Sequence, residues 1–321
     1  HEIIKQRVEK YAIECDLKHG HLHAAYKPSH MTDLRKDYEE AVRRGLGDEV
    51  SLLDRSQVRD LLQSDLYHGA IKNTRNMHLH PLNLCIGEAR AAESLGALIF
   101  ENSEVLEIIH GDTPGVRTAH GQIDANQVML AGDVYHKLEP GQLKGKIFPA
   151  MGGIVTTAPL GDLARQINPE DLAVYDCRFV LDYYRLTADG RLLFGGGANY
   201  SGKDSRDIAA ELRPCIEQTF PALKGVQIDY QWSCAMGIVI NRIPQLGKLS
   251  DNVWYCQGYS GHGIATTHIM GEIMSRAITG QMEQYDTFAA CQHIRVPMGD
   301  LLGNPLLAAG MWYYQMLEKL R

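Results

Sequence analysis

Several features that would assign this chain to a broad class are missing from it. No apolar run reaches the length of about 18 residues that crosses a bilayer, so no membrane-spanning helix is expected. Positive charge is not in excess: 32 Lys and Arg face 39 Asp and Glu, a net charge of -7. Phosphate backbones need a basic face, so nucleic acid is not an expected partner. Seven cysteines (15, 85, 177, 215, 234, 256 and 291) never fall at CxxC spacing. That pattern suits reduced thiols in a cytoplasmic protein better than a disulfide frame. His78 and His80 share a face if the segment is extended, yet two histidines make no metal site. A nucleophile elbow is also absent, because GxSxG around Ser260 needs glycine where His262 stands. No signal-peptide pattern opens the chain at His1, and internal repeats and low-complexity tracts are lacking.

What is present can build a large core: 321 residues, 45% of them hydrophobic, enough for one large domain or two entwined ones. Helical spacing of Ile3, Ile4, Val8, Tyr11 and Ile13 predicts a first helix through HEIIKQRVEKYAIECDL, and HLHAAYK reads as a strand. A helix started by Thr32 and ended by Gly45 or Gly47 follows. SLLDRSQVRDLLQS reads as another, with Ser51 or Asp54 near its start. A proline-led helix is expected over Leu82 to Leu95. Its small residues Gly87, Ala89, Ala91 and Ala92 would let it lie close against a sheet or a cofactor. Strands are expected at Ala97 to Phe100, Val105 to Ile109 and Gln127 to Leu130. Beyond residue 148 β-branched and aromatic alternation dominates, interrupted by one helix around Pro214. Elements of two kinds therefore alternate along the chain, as when one domain is interleaved with another.

Two glycine clusters stand out. GYSGHGIATTHIMGE, Gly258 to Glu272, follows a strand at Val253 to Cys256 and runs into a helix from about His262 to Thr279. Such a turn exposes amide N–H groups and the positive end of a helix dipole to an anion or a carbonyl, although an ordinary strand-to-helix corner would look the same. The second cluster, Gly195 to Gly197, ends the apolar strand Leu192 to Phe194. On the strand before it, period two places Tyr183 and Arg185 on one face and Tyr184 on the other. A tyrosine and an arginine side by side suit either an anionic ligand or a surface ion pair.

Taken in order, these segments resemble the D-amino-acid oxidase-like FAD-dependent oxidoreductases. The resemblance rests on GYSGHG with its helix, on Trp232 to Leu249, on DYYRLTADGRLLFGGG (Asp182 to Gly197), on His80 to Ala97 and on Gln127 to Tyr135. Within that family the chain is most similar to the γ-glutamylputrescine oxidase branch. The implied fold is α/β with an α+β substrate domain: a discontinuous FAD-binding domain of glutathione-reductase type interleaved with a large antiparallel-sheet substrate domain. On that basis residues 1–76 are expected to be substrate-domain helices and strand, and 77–148 the middle of the FAD domain. Residues 149–232 would form the substrate sheet, 233–290 the C-terminal part of the FAD domain, and 291–321 a helical extension.

The resemblance also implies a chemistry. FAD would accept hydride from a C–N carbon of an amine such as a γ-glutamyl-amine, and O2 would reoxidise it to give H2O2. Gly258, Tyr259, Ser260, Gly261, His262, Gly263 and Ile264 would line the ring, with Trp232 beside it. Val105 would mark the adenosine side, and Ala131 and Gly132 the loop passing the dinucleotide. Tyr259, His262 and Arg185 are the catalytic candidates, Arg185 as holder of a distal carboxylate. Ala265 stands where the N-methyl amino-acid oxidases carry a carboxylate-clamping lysine, which favours an amine substrate. Cys234 lacks the family's flavin-attachment context, so non-covalent FAD is expected. The strand–GxGxxG–helix unit that cradles the pyrophosphate is not in this sequence, so a separate N-terminal polypeptide is expected to complete the FAD domain. The alternatives are an amino-acid oxidase or dehydrogenase with another electron acceptor, and an inactive fragment with an interaction role.

Overall fold

The computed structural model describes residues 1–199, 201–296 and 303–320. Helix α1 (Glu2–Lys10) leads to β1 (Lys18–Ala24), α2 (His30–Arg43), β2 (Val50–Asp54), α3 (Arg55–Leu61) and β3 (Gly69–His78). Helix α4 (Pro81–Ser94) precedes an antiparallel meander of β4 (Val105–Ile109), β5 (Gly115–Thr118) and β6 (Gln122–Asp124). Then come β7 (Val128–Leu130), the single turn α5 (Pro140–Leu143), β8 (Phe148–Thr157), α6 (Asp162–Ile167), β9 (Ala173–Asp176), β10 (Tyr183–Leu186) and β11 (Leu192–Asn199). Helix α7 (Ile208–Thr219) and strands β12 (Ile228–Ile238), β13 (Gln245–Ser250) and β14 (Val253–Gln257) lead to α8 (Gly263–Ile278), α9 (Glu283–Ala289) and α10 (Asn304–Leu320).

An eight-stranded sheet in the order β12-β8-β11-β10-β9-β1-β3-β2 dominates the molecule. Its pairings are antiparallel except between β1 and β9. One face is apolar. Leu22, Val155, Val174, Tyr184, Leu192 and Phe194 bury against Val58 and Leu62 around α3, Ile167 of α6 and Leu212 and Ile216 of α7. Each such side chain contributes about 1.5–3 kcal/mol on burial, so this layer holds the sheet flat against its helices. The opposite face is left for something else.

A smaller sheet, β13-β14-β7, carries α8 on one side. Strand β7 runs parallel to β14, which joins the middle of the chain to its C-terminal part. Trp254 and Cys256 of β14 pack on Met270, Ile273, Met274 and Ala277 of α8. The strands β3 and β12 of the large sheet run through positions 76/77 and 232/233 without a break.

Three expectations need correction. The first helix stops at Lys10, because Ala12 takes a left-handed φ of 49° that ends a helix. Residues 50–54 form a strand paired to β3, so of the two expected helix starts Asp54, the N-cap of α3, holds and Ser51 does not. There the Asp54 carboxylate accepts from Gln57 N at 2.9 Å, and the Gln57 side chain accepts from Asp54 N at 2.9 Å, a reciprocal capping box. The segment Ala97 to Phe100 is not a strand: no ladder partner lies beside it among the described residues, and Leu98 and Phe100 are 80% and 62% exposed. An apolar run alone does not make a strand, since its backbone groups need a neighbour to bond.

Candidate active site

Strand register builds the site. Pairing Tyr183 with Tyr175 and with Gly195, Leu193 with Thr156, and Trp232 with Ile154 puts all of these on one face. Tyr184 and Phe194 point the other way, their rings stacked 5.5 Å apart in the core. The split of Tyr183 and Arg185 from Tyr184 follows the period-two expectation. Gly195 has a steric reason: a side-chain carbon there would collide with the Tyr183 ring, so glycine lets that ring lie flat on the sheet.

Above this face lies a cavity of about 1160 Å³. Its floor includes Tyr230, Trp232 and Cys234 of β12 at one end and Arg185, Tyr175 and His21 toward the other. Its roof is formed by the N-terminal ends of α4 and α8, through His80, Pro81, Leu82, Ile264 and Ala265, together with Ile4 of α1. His80 caps α4, its Nδ1 accepting from Asn83 N at 3.2 Å. Helix α8 has no side-chain cap at His262, so its first-turn amides have no side-chain acceptor and its positive dipole end faces the cavity.

The glycine turn before α8 is held by specific bonds. Gly258 and Gly261 have φ of +81° and +88°, and a side-chain carbon on Gly258 would come within 2.5 Å of Val239. Ser260, also left-handed at 53°, donates its amide to Gly237 O at 2.8 Å, and its hydroxyl accepts from Val239 N at 3.2 Å. The Asp133 carboxylate accepts from Gly258 N at 2.7 Å and from Gly237 N at 3.2 Å. Tyr135 clasps Ala235, its hydroxyl donating to the carbonyl and accepting from the amide, each at 3.0 Å. The loop after β7 thus fixes both the turn and the end of β12. Sequence reasoning missed Asp133 as an anchor; nothing in its neighbours signals that a residue 125 positions away needs an acceptor.

Burial sets the charge states around the cavity. Desolvation, aided by His23 and His78, lowers the His21 pKa from 6.5 to about 4, so this ring is neutral at physiological pH. Burial likewise lowers His78, whose Nε2 donates to Asp171 O at 2.9 Å. It raises Tyr175 and Tyr183 to about 12, keeping both as phenols. Arg185 is only 8% exposed. Its guanidinium donates to Leu186 O at 3.0 Å and lies 3.7 Å from Asp16, and desolvation lowers its pKa.

Among the expected site residues, Arg185, Trp232 and Ile264 meet in the cavity. Tyr259 and Ala131 instead line a second cleft of about 580 Å³ between β7, β14 and α8. The Tyr259 hydroxyl is directed at Cys256 Sγ, 3.3 Å away. His262 is exposed at the head of α8, and Val105 belongs to the separate meander. Gly132 precedes Asp133 and lies against His136. His80 and His78 flank the cavity rather than pairing across a metal.

The residues present fit FAD. Gly263 of the turn and Gly271 of α8 have open space where a side chain would be, α8 offers uncapped amides, and the second cleft continues along its flank. The family model "FAD dependent oxidoreductase" (DAO) matches residues 1–277. The chain is 40% identical to the gamma-glutamylputrescine oxidoreductase of Escherichia coli strain K12 over 322 residues, 99% of this chain and 75% of that protein. It is 33% identical to a probable oxidoreductase, OrdL, of Haemophilus influenzae, over all of this chain and 75% of that protein. Glycine oxidase from Geobacillus kaustophilus superposes with a TM-score of 0.77 at 18% identity, over 91% of this chain and 80% of that one. L-proline dehydrogenase from P. horikoshii gives 0.74 at 21%, over 87% and 76%. With its fold, its glycine turn and its near-complete family match in agreement, the chain belongs to the DAO family of FAD-dependent oxidoreductases.

Proposed function

We propose that the enzyme oxidises the C–N bond of an extended amine, with a γ-glutamyl-amine such as γ-glutamylputrescine as the best-fitting class. The observation that carries this reading is the shape of the cavity: it crosses the sheet from Trp232 on β12 to His21 on β1. Five strand spacings at about 4.8 Å separate those strands, far more length than a glycine-sized substrate needs. FAD, when bound, supplies the hydride acceptor, and dioxygen takes up the electrons as H2O2. The protein's part is to hold the amine, neutral and desolvated, where α8 begins.

No free carboxylate lines that end of the cavity: Asp189 accepts from Arg191 and Thr187, and Ala265 offers no charge. An ammonium therefore gains nothing there, whereas a neutral amine among Tyr230, Trp232 and Ile264 keeps the lone pair that assists loss of hydride. Arg185 holds the far, anionic part of the substrate. Tyr259 and His262 stand as supports of the turn, with no acid or base needed for the step. Cys234 faces the cavity with its thiol pKa raised by burial, which supports non-covalent FAD.

On the same reading residues 77–148 and 233–290 make the cofactor half, 1–76 and 149–232 the substrate half and 291–321 a helical extension, in a cytoplasmic enzyme. A further strand-bearing segment, which the longer relatives have length to supply, completes the cofactor half. The exposed run Leu98 to Phe100 and the free edge of β7 support this. The test is oxidation of γ-glutamylputrescine by the FAD-loaded protein, with putrescine and glycine as comparators, followed by anaerobic flavin bleaching and by peroxide in air. Bleaching by γ-glutamylputrescine with peroxide formation is expected. Bleaching by amino acids alone overturns the substrate class, and bleaching without peroxide overturns dioxygen as acceptor.

A further inference from the structure

Across the middle of the large sheet the register creates a hollow. His21 pairs with Ala173 in the parallel ladder of β1 and β9. On the other side Tyr184 pairs with Val174 and Tyr183 with Tyr175; one residue further, the same register sets Arg185 opposite Ala173. Arg185, Ala173 and His21 thus form one row on the cavity face. The small methyl group of Ala173 separates two long polar side chains whose strands lie roughly 10 Å apart. Tyr175, two residues along, closes one side, its ring stacked on His21 at 4.6 Å and on His23 at 4.4 Å. His78 adds a wall, and all five residues line the cavity.

Three of the groups facing this hollow are donors; His78, whose Nε2 proton goes to Asp171 O, adds none. Arg185 spends one N–H on Leu186 O and keeps only a loose contact, 3.7 Å, with Asp16, so most of its five N–H donors are uncommitted although the side chain is nine-tenths buried. On His21 a neighbour sets the tautomer: the Asn76 amide nitrogen, a donor only, lies 3.4 Å from Nδ1. The ring proton of the neutral imidazole therefore sits on Nε2. Tyr175 remains a phenol. A guanidinium and two neutral donors around a methyl-floored hollow match a carboxylate, whose two oxygens accept several hydrogen bonds at once.

We propose that the row Arg185–Ala173–His21 is a carboxylate subsite that selects amines carrying a carboxylate-bearing tail, with His21 as its second, specificity-determining donor. The subsite rests on the γ-glutamyl-amine reading above but makes a separate claim, since it binds the tail and not the oxidised carbon. It lies on β9, β10 and β1, well away from the turn that starts α8.

Calorimetric titration of the FAD-loaded protein with γ-glutamylbutylamide tests it. This probe keeps the α-carboxylate and α-ammonium of the glutamyl tail but has no terminal amine on its butyl end; N-butylacetamide, which lacks both charged groups, serves as the tail-free control. Arg185→Met and Ala173→Leu are expected to weaken γ-glutamylbutylamide binding on the order of tenfold to a hundredfold, the value of a charged hydrogen bond. His21→Phe keeps the stack on Tyr175 and is expected to weaken it about fivefold; N-butylacetamide affinity is expected to stay unchanged throughout. If Ala173→Leu fails to fold, as its melting curve would show, the other two variants decide. Equal affinity of wild type, Arg185→Met and His21→Phe for γ-glutamylbutylamide overturns the subsite, as does no binding to the wild type. Subsite-dependent binding without oxidation of γ-glutamylputrescine would remove the reaction and leave the subsite; oxidation with indifferent binding would do the reverse.

Discussion

Individual residues in this enzyme act mostly through what burial does to them. His21 has its pKa lowered to about 4, and burial lowers His23 and His78 as well. Between about pH 6.5 and 4 the unfolded chain binds a proton at His21 that the folded chain does not, so stability falls as pH falls through that window. The shift corresponds to about 3 kcal/mol for His21 alone. Urea unfolding from pH 7.5 down to 4.5 should show this decline, and His21→Phe should flatten it. Asp133 acts through its acceptors instead. Asp133→Ala leaves the amides of Gly237 and Gly258 unpaired beside the turn, at a cost of about 1–3 kcal/mol. A lower melting temperature and a lower flavin-to-protein ratio after gel filtration are the expected outcomes. Asp133→Asn keeps one acceptor and should fall between.

At the scale of elements, α8 carries two glycines with opposite demands. Gly258 just before it has φ +81° and lies against Val239, so Gly258→Ala strains the backbone and displaces a core side chain. Gly271, inside the helix, has nothing within 4 Å of where its side chain would be, and it lines the second cleft. In the apoprotein Gly271→Ala should stabilise by about 0.5–1 kcal/mol, the helix-propensity difference. In the same variant FAD affinity should fall, because the added methyl group enters the cleft along α8. Differential scanning fluorimetry of the apoprotein and flavin fluorescence quenching separate the two effects; unchanged FAD affinity would move the cofactor away from Gly271. Legibility also varied by element. The α8 turn, the Pro-led α4 and the alternation in β10 were readable because their signals are local: glycine, proline and period two. Gly87 of α4 lies against Ile13 of the loop after α1 and not against a sheet, so its small size was legible but its neighbour was not. The row from Arg185 to His21 was not readable, because it joins strands 164 positions apart through a register that neither strand encodes alone.

For the molecule as a whole, the core clusters of the two sheets that flank the cavities differ in how fully they are closed. The large sheet is covered by helices on one face and leaves its other face as the floor of the large cavity. Among the described residues the smaller sheet has three strands with β7 at its edge, and the run Leu98, Ile99 and Phe100 is 80%, 47% and 62% exposed. The strand expected there from composition did not form because a strand is a property of a pair. Its apolar residues are legible in the sequence; its partner is not. If a further segment covers this exposed run, a charge on the run should matter only when that segment is present. Leu98→Lys with Phe100→Lys should change the melting temperature of the 321-residue chain by no more than about 2–4 °C, as substitutions at exposed sites do. In a preparation that includes the completing polypeptide, the same pair should abolish its co-elution and strip the flavin from the complex. Intact mass and the flavin-to-protein ratio of the eluted peak read both outcomes. Retained flavin and a retained second polypeptide would mean that the cofactor half closes along some other surface.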